Sequence, residues 1–321
     1  MKKKIIIVGG DPNSINSEII FKAWKKSKNT IKKNLYLIAN FRLFYEQAKK
    51  LKFKINLEKV DYFNNIKISN NLKIIDIPLK FKDPFKVSFK ESEKYLLKSL
   101  NLAHVLTSNN QVKGMINCSI NKKLIKSSKK IGVTEFLASK CNIKDHSEIM
   151  MIYNKKLSVV PITTHIKIKD ISKSITQNLI ITKIKSLNKN YRKIFKIKPK
   201  IGVLGLNPHN GEMSQSSEEK IKIVPAIQKL RLNKISIDGP LIADTLFINK
   251  YKKYDVIVGM YHDQVLAPFK TLFNFDAINI TLGLNYLRVS PDHGPALDII
   301  KKNEANYVSL LRCLEFINSK N

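Results

Sequence analysis

The chain has 321 residues, 43% of them hydrophobic and 8% aromatic, which excludes a disordered chain and suits two α/β domains or lobes. Its net charge is +33, yet only Arg42, Arg192, Arg231, Arg288 and Arg312 are arginines, and the lysines are scattered. That argues for a solvated lysine-coated surface over a nucleic-acid face built on arginine forks.

Cys118, Cys141 and Cys313 are widely spaced, with no CxxC, so neither a disulfide framework nor a thiolate metal centre is expected. A reducing cytoplasm fits. No apolar run approaches the roughly 18 residues of a membrane span. Short β-branched runs alternate with amphipathic stretches, the pattern of an α/β protein with a largely parallel sheet.

KIIIV (4–8) is the first predicted strand; only Ile5 to Val8 are strongly apolar before GGDP, too short a run for a signal segment. A helix near 17–27, a strand at 35–39 (LYLIA), a helix near 41–51 and a strand at 73–78 follow. The helix 88–108 opens with Ser88 and Glu91 at capping-box spacing. GMINC (114–118) is the next strand. EIMMIYNKKLSVVPI (148–162) reads as two strands around a turn at Asn154 and Lys155, an antiparallel hairpin added to the sheet. Helices near 170–188, 217–232 and 263–272 alternate with strands at 159–164, 200–206 and 255–260. INITLGLNYLRVS (278–290) resembles the hairpin, with Gly283 and Asn285 as turn formers.

Three strand candidates end in histidine: VVPITTH at His165, IGVLGLNPH at His209 and VIVGMYH at His262. In open α/β sheets ligands collect beyond the carboxyl ends of the strands, and three imidazoles make a catalytic set for a divalent metal. Taken singly, each is equally a hydrogen-bonded histidine at a helix start. Asp263 has three readings: cap of the following helix, support for the His262 imidazole, or proton acceptor. Lys270, two turns on, suits an anion. Arg288, within an apolar segment, points to a bidentate carboxylate or phosphate contact or to a structural ion pair. DHGPALDII sets His293 and Gly294 at a helix start, where N–H groups meet anions. His104, in an amphipathic helix, and His146, in a charged loop, read as structural. GGDPNSIN lacks GxGxxG spacing, and no GxxxxGK[ST], GxSxG or HExxH occurs.

With GDPNSINSE, NCSINK, GVTEFLA, TTH, GLNPHNGE, DGPLIADT, MYHDQ, NITLGL and R-x-S-x-DHG in this order from Gly9 to about Ile299, the chain resembles the 4-hydroxythreonine-4-phosphate dehydrogenase family of pyridoxal phosphate biosynthesis. The resemblance implies an isocitrate/isopropylmalate dehydrogenase-like fold, two α/β/α lobes with the active-site cleft between them. On that expectation residues 1–125 with 265–321 form the cofactor-side lobe, and 126–264 the lobe with metal ligands and dimer contacts. It further implies a homodimer with interface active sites and NAD- or NADP-dependent oxidation of 4-phosphooxy-threonine, followed by decarboxylation. A divalent metal (zinc, cobalt or magnesium) would sit on His165, His209 and His262. Substrate contacts fall on Thr134, Lys270, Asn279 and Arg288, cofactor contacts on His293 and Gly294, and Asp244 or Asp263 is the base.

The chain departs from the family at Val133, where GHTEFLA carries histidine. It departs again at Ser14 and Asn16, and at Met213 and Ser214, where the family has glycines. Valine donates no hydrogen bond. A related phosphorylated hydroxy acid of the phosphothreonate type is the alternative substrate. A basic nucleic-acid-binding protein is the alternative from another class.

Overall fold

In the computed structural model, which describes residues 4–61, 70–109, 112–128, 132–143 and 148–320, the run Ile5–Val8 is buried throughout, as a parallel strand covered on both faces requires. His146 lies outside the described residues. The chain forms two units: Met1–Asn142 with Leu284–Asn321, and Ile143–Gly283.

The first unit holds β1 (Lys4–Val8), β2 (Leu35–Ala39), β3 (Leu57–Val60), β4 (Leu72–Asp76), β5 (Val112–Asn117) and β12 (Arg288–Pro291), in the order β3-β4-β2-β1-β5-β12. All are paired in parallel. Two of its helices start at side-chain caps. Asn40 accepts from the Leu43 N–H at 2.8 Å to open Phe41–Lys50, and Ser88 accepts from the Glu91 N–H at 3.4 Å to open Phe89–Ser108. A C-terminal helix, Val308–Ser319, buries Leu310, Cys313, Leu314 and Ile317.

The second unit holds β6 (Ile149–Asn154), β7 (Leu157–Pro161), β8 (Ile201–Leu204), β9 (Ile237–Leu241), β10 (Val256–Gly259) and β11 (Ile278–Leu282), in the order β11-β6-β7-β10-β8-β9. The expected hairpin is β6 and β7, joined by Lys155 and Lys156 with Asn154 opposite Leu157. β7, β10, β8 and β9 run parallel. Pro240 is tolerated in β9 because that strand is last in the order. The helix foreseen from 170 runs instead from Gln177 to Phe195, because Thr176 accepts from the Leu179 N–H and sets its start.

The helix His262–Phe273 is fastened by Val265, Leu266 and Phe269, which pack with Ile152, Val159, Leu204 and Ile257. Each such side chain stabilises by roughly 2 kcal/mol when fully buried. Both expected lobe boundaries are displaced. The helix Val133–Lys140 packs on the turn Lys122–Ser128 in the first unit, while the helix His262–Phe273 packs on β7 and β11 pairs with β6 in the second. No described helix is long and apolar enough to cross a membrane.

Candidate active site

β7, β10 and β8 are neighbours in that order, so the segments leaving their carboxyl ends, which carry His165, His262 and His209, lie side by side. Pairing continues past β7 and β10: the Ile162 N–H donates to the Gly259 carbonyl at 2.8 Å and the Thr163 N–H to the Met260 carbonyl at 3.1 Å. The Thr163 hydroxyl donates to the same Met260 oxygen at 2.7 Å. On the other side of β10, Gln264 accepts from the Met260 N–H and donates to the Gly205 carbonyl, both at 2.7 Å.

The rings of His165 and His262 lie 6.1 Å apart, centroid to centroid. His262 Nδ1 meets Asp263 Oδ1 at 2.6 Å. Such a carboxylate contact fixes the ring's orientation and leaves Nε2 as the coordinating atom. Asp263 is not a cap: Tyr261 occupies the N-cap, the helix starts at His262, and the Asp263 side chain is 82% exposed. Among the described residues no three His, Cys, Asp or Glu side chains stand close enough to hold a metal ion. The donors match a divalent ion in kind and in strand placement, but not in spacing. Of the three, His165 and His262 have their rings near each other.

His209 begins a left-handed turn. His209, Asn210, Gly211, Glu212 and Met213 all have positive φ, between 50° and 58°. L-residues other than glycine disfavour this region by roughly 1–2 kcal/mol each. Glu219, fully buried, braces the entry to the turn. Its carboxylate accepts from the N–H groups of Leu206 and Asn207, both at 2.7 Å, and from the Asn207 amide at 3.0 Å. Asn207 also donates to Glu218 at 2.8 Å, and this bond, together with one from the Ser172 hydroxyl, holds the Glu218 carboxyl below its usual range. Gly211 is required, since a Cβ there would meet Ser217 at 2.9 Å as well as carry a φ of +57°. Met213, at φ +55°, is under strain with no such gain. Met213→Gly is expected to raise stability by about 0.5–1 kcal/mol, the strain relieved less the added unfolded-state entropy, read as a shifted urea midpoint.

Asp244 lies in the first turn of Ala243–Leu246, directly after β9, and is exposed; β9 neighbours β8. The ends of β7, β10, β8 and β9 thus carry three histidines and a carboxylate in succession. Lys270 is exposed on the helix His262–Phe273, about 12 Å along its axis from His262. Asn279 lies on β11, at the opposite edge of this unit's strand order. Its Oδ1 is buried and accepts no hydrogen bond from the described residues, an arrangement that calls for a donor.

In the first unit Arg288 opens β12, 3% exposed, and its Nε donates to Asn117 Oδ1 at 2.5 Å at the end of β5. Burial pushes its pKa down to about 10. Thr134 and Val133 are half-buried in the first turn of Val133–Lys140. His293 Nδ1 contacts the Gly294 carbonyl at 2.9 Å, and a Cβ at Gly294 would meet open space. His104 is structural, as expected, with Nδ1 2.9 Å from the Tyr286 hydroxyl.

Ser14 and Asn16, where the resemblance led to an expectation of glycines, bond within their own loop and to Ser119. The Ser14 hydroxyl donates to the Asp11 carbonyl at 2.6 Å, Asn16 Nδ2 to the Ser119 carbonyl at 2.8 Å, and the Ser119 hydroxyl to Asn16 Oδ1 at 2.8 Å. Thr163, Gln264, Glu219 and Asn117 escaped the sequence reading. The first two lie inside the TTH and MYHDQ blocks, where adjacency to a histidine was the available signal.

The family model described as pyridoxal phosphate biosynthetic protein PdxA matches residues 30–317. The chain is 37% identical over 324 residues to a 4-hydroxythreonine-4-phosphate dehydrogenase of Aquifex aeolicus, covering 99% of this chain and 98% of the relative. It is 38% identical over 322 residues to the Sulfurihydrogenibium protein of the same name, covering 97% and 96%. Among solved structures, the 4-hydroxythreonine-4-phosphate dehydrogenase of Klebsiella pneumoniae superposes with a TM-score of 0.86 at 28% identity, covering 98% of both chains.

Proposed function

The chain belongs to the family of the pyridoxal phosphate biosynthetic protein PdxA, and from that membership we propose that it oxidises the secondary hydroxyl of 4-phosphooxy-L-threonine with NAD or NADP. The β-keto acid then loses carbon dioxide to give 3-amino-2-oxopropyl phosphate, in pyridoxal 5'-phosphate biosynthesis. The observation that carries this reading is the succession of His165, His262, His209 and Asp244 at the ends of four neighbouring parallel strands.

The three imidazoles would hold a divalent ion, and nitrogen donors favour zinc or cobalt over magnesium. When bound, the ion supplies Lewis acidity at the substrate oxygen while nicotinamide takes the hydride. Asp263 holds the His262 ring through its 2.6 Å contact. Asp244 and Asp263 are the two carboxylates assigned to the hydroxyl proton, and both are exposed and open to substrate. Lys270 and Arg288 take the phosphate and carboxylate, and the buried Asn279 Oδ1 takes a substrate N–H or O–H. Thr134 contributes a hydroxyl to the substrate, and His293 and Gly294 line the cofactor. The +33 charge draws anionic substrates. Exposed Ile242, Ile248, Leu272 and Phe275 of the second unit support a homodimer. Buried Cys118 and Cys313 suit a reducing cytoplasm. Nucleic-acid binding rests on charge alone.

Purified protein given 4-phosphooxy-threonine, NAD or NADP, and zinc, cobalt or magnesium in turn should produce reduced nicotinamide, followed by absorbance; no turnover with any metal would sink the reading. Val133→His is expected to raise kcat/KM on this substrate about tenfold, the value of one hydrogen bond to a charged group. Faster turnover of phosphothreonate than of 4-phosphooxy-threonine by the parent would favour the alternative substrate.

A further inference from the structure

Arg288 begins β12, and the chain around that start is fixed by three contacts. The Met115 N–H of β5 donates to the Leu287 carbonyl at 3.0 Å, and Gly114 makes room for it, since a Cβ there would meet that oxygen at 2.7 Å. On one side of Leu287, Arg288 Nε donates to Asn117 Oδ1. On the other side, the Tyr286 hydroxyl stands 2.9 Å from His104 Nδ1, with the two rings edge-on at 5.6 Å between centroids. His104 comes from the helix Phe89–Ser108, which packs on β5. Burial and the Lys140 cation hold its imidazole below the ordinary value, so the ring is neutral and accepts from the hydroxyl at Nδ1. Tyr286 and Arg288 are electrostatic neighbours: burial and the Cys141 thiol push the Tyr286 phenol up, and the Arg288 cation draws it back.

We propose that Tyr286, held by His104, is a positioning residue that sets the aim of the Arg288 guanidinium toward an anionic group of the substrate. The inference rests on the reading of Arg288 as a substrate contact. Tyr286 and His104 act through Arg288 and touch no reacting atom. A guanidinium takes a carboxylate or phosphate through two parallel N–H donors, so a small rotation of its plane weakens both bonds together. Asn117 fixes the Nε edge, and the Tyr286 hydroxyl fixes the chain from which the arginine side chain leaves. Tyr286→Phe keeps the ring and removes the hydroxyl. His104→Leu removes its acceptor, and His104→Asn puts an amide oxygen in the acceptor's place.

The test is steady-state kinetics of the full-length protein on 4-phosphooxy-threonine, with thermal unfolding of each variant alongside. Tyr286→Phe and His104→Leu are each expected to raise KM about 3–10-fold, the worth of one hydrogen bond, with kcat unchanged. His104→Asn should recover part of that loss. The double variant should be no worse than either single one, since both remove the same bond, and in the Arg288→Met background Tyr286→Phe should cost nothing further. Should Tyr286→Phe fail to fold, the two His104 variants carry the same comparison. A parental KM in folded Tyr286→Phe, with or without a lowered melting temperature, would mark the pair as merely structural and overturn the proposal. An undiminished further loss in the Arg288→Met background, or a loss confined to kcat, would overturn it too. If Arg288→Met itself keeps the parental KM, the substrate role of Arg288 and this proposal fall together while the oxidation reading stands. If the parent turns over no 4-phosphooxy-threonine, the oxidation reading falls and the proposal falls with it.

Discussion

Replacing His262 by alanine is expected to lower turnover of 4-phosphooxy-threonine by about a thousandfold or more and to abolish tight metal binding, while leaving the fold intact. The kinetic figure follows from the several kcal/mol that a Lewis acid supplies to such a reaction, at about 1.4 kcal/mol per tenfold. The structural half follows from where His262 sits. It is the first residue of its helix, and the anchors of that helix are Val265, Leu266 and Phe269, which the substitution does not touch. Changes at such a terminus fall within about 0.5 kcal/mol. The contact between His262 Nδ1 and Asp263 is lost, but Asp263 is largely exposed and water replaces its partner. Circular dichroism and metal content per protomer, measured beside steady-state kinetics, check all three parts. A variant with parental turnover would show that the imidazole takes no part in the chemistry.

The histidines were legible in the sequence because each ends an apolar β-branched run: β8 and β10 fall within their predicted segments, while β7, Leu157–Pro161, lies in the predicted hairpin (148–162) and starts two residues before the predicted strand at 159. Their adjacency was not legible. The order β7-β10-β8 inserts the last of the three strands between the first two, a topological fact that spacing along the chain does not encode. Gln264 shows the same limit on a smaller scale. Its partners are Met260, four residues away, and Gly205, 59 residues away, so only the local half of its role was visible. Asp263 was open to three readings because the helix start was set one residue too late; with His262 inside the helix, capping drops out. The C-terminal helix Val308–Ser319 went unnoticed, although Asn306 Oδ1 accepts from the Val308 N–H at 2.9 Å just before it; the N-cap itself, Tyr307, makes no side-chain cap. β3 and β9 were missed because LEKV is half polar and IDGPL contains glycine and proline, features that an edge strand accepts and a central one does not.

Arg288→Met is expected to lower kcat/KM for 4-phosphooxy-threonine by about a thousandfold, mainly through KM, with little loss of stability. The guanidinium is 3% exposed, and burial pushes its pKa down to about 10, which corresponds to roughly 3 kcal/mol of disfavoured charge. The sign matters. Below pH 10 both folded and unfolded chains hold the proton and the folded state bears the full desolvation penalty. Above pH 10, up to the guanidinium's ordinary value, the folded chain has released the proton and the unfolded chain has not, so the group's contribution to stability rises with pH only there. At every working pH the buried charge therefore opposes folding, and an apolar side chain of similar length removes that penalty at the expense of the guanidinium's contacts, the bond to Asn117 among them, about 1–3 kcal/mol each, so the two changes offset one another. A substrate carboxylate or phosphate loses a charge-assisted, forked partner with nothing to replace it, which sets the kinetic loss. Arg288→Lys separates charge from geometry: it keeps the cation, loses the fork and is expected to recover only part of the affinity. A structural ion pair predicts the reverse pattern, in which Arg288→Met lowers the melting temperature sharply and leaves KM unchanged. Thermal unfolding and KM measured on the same two variants decide between them, and a parental KM in folded Arg288→Met would remove Arg288 from the substrate site.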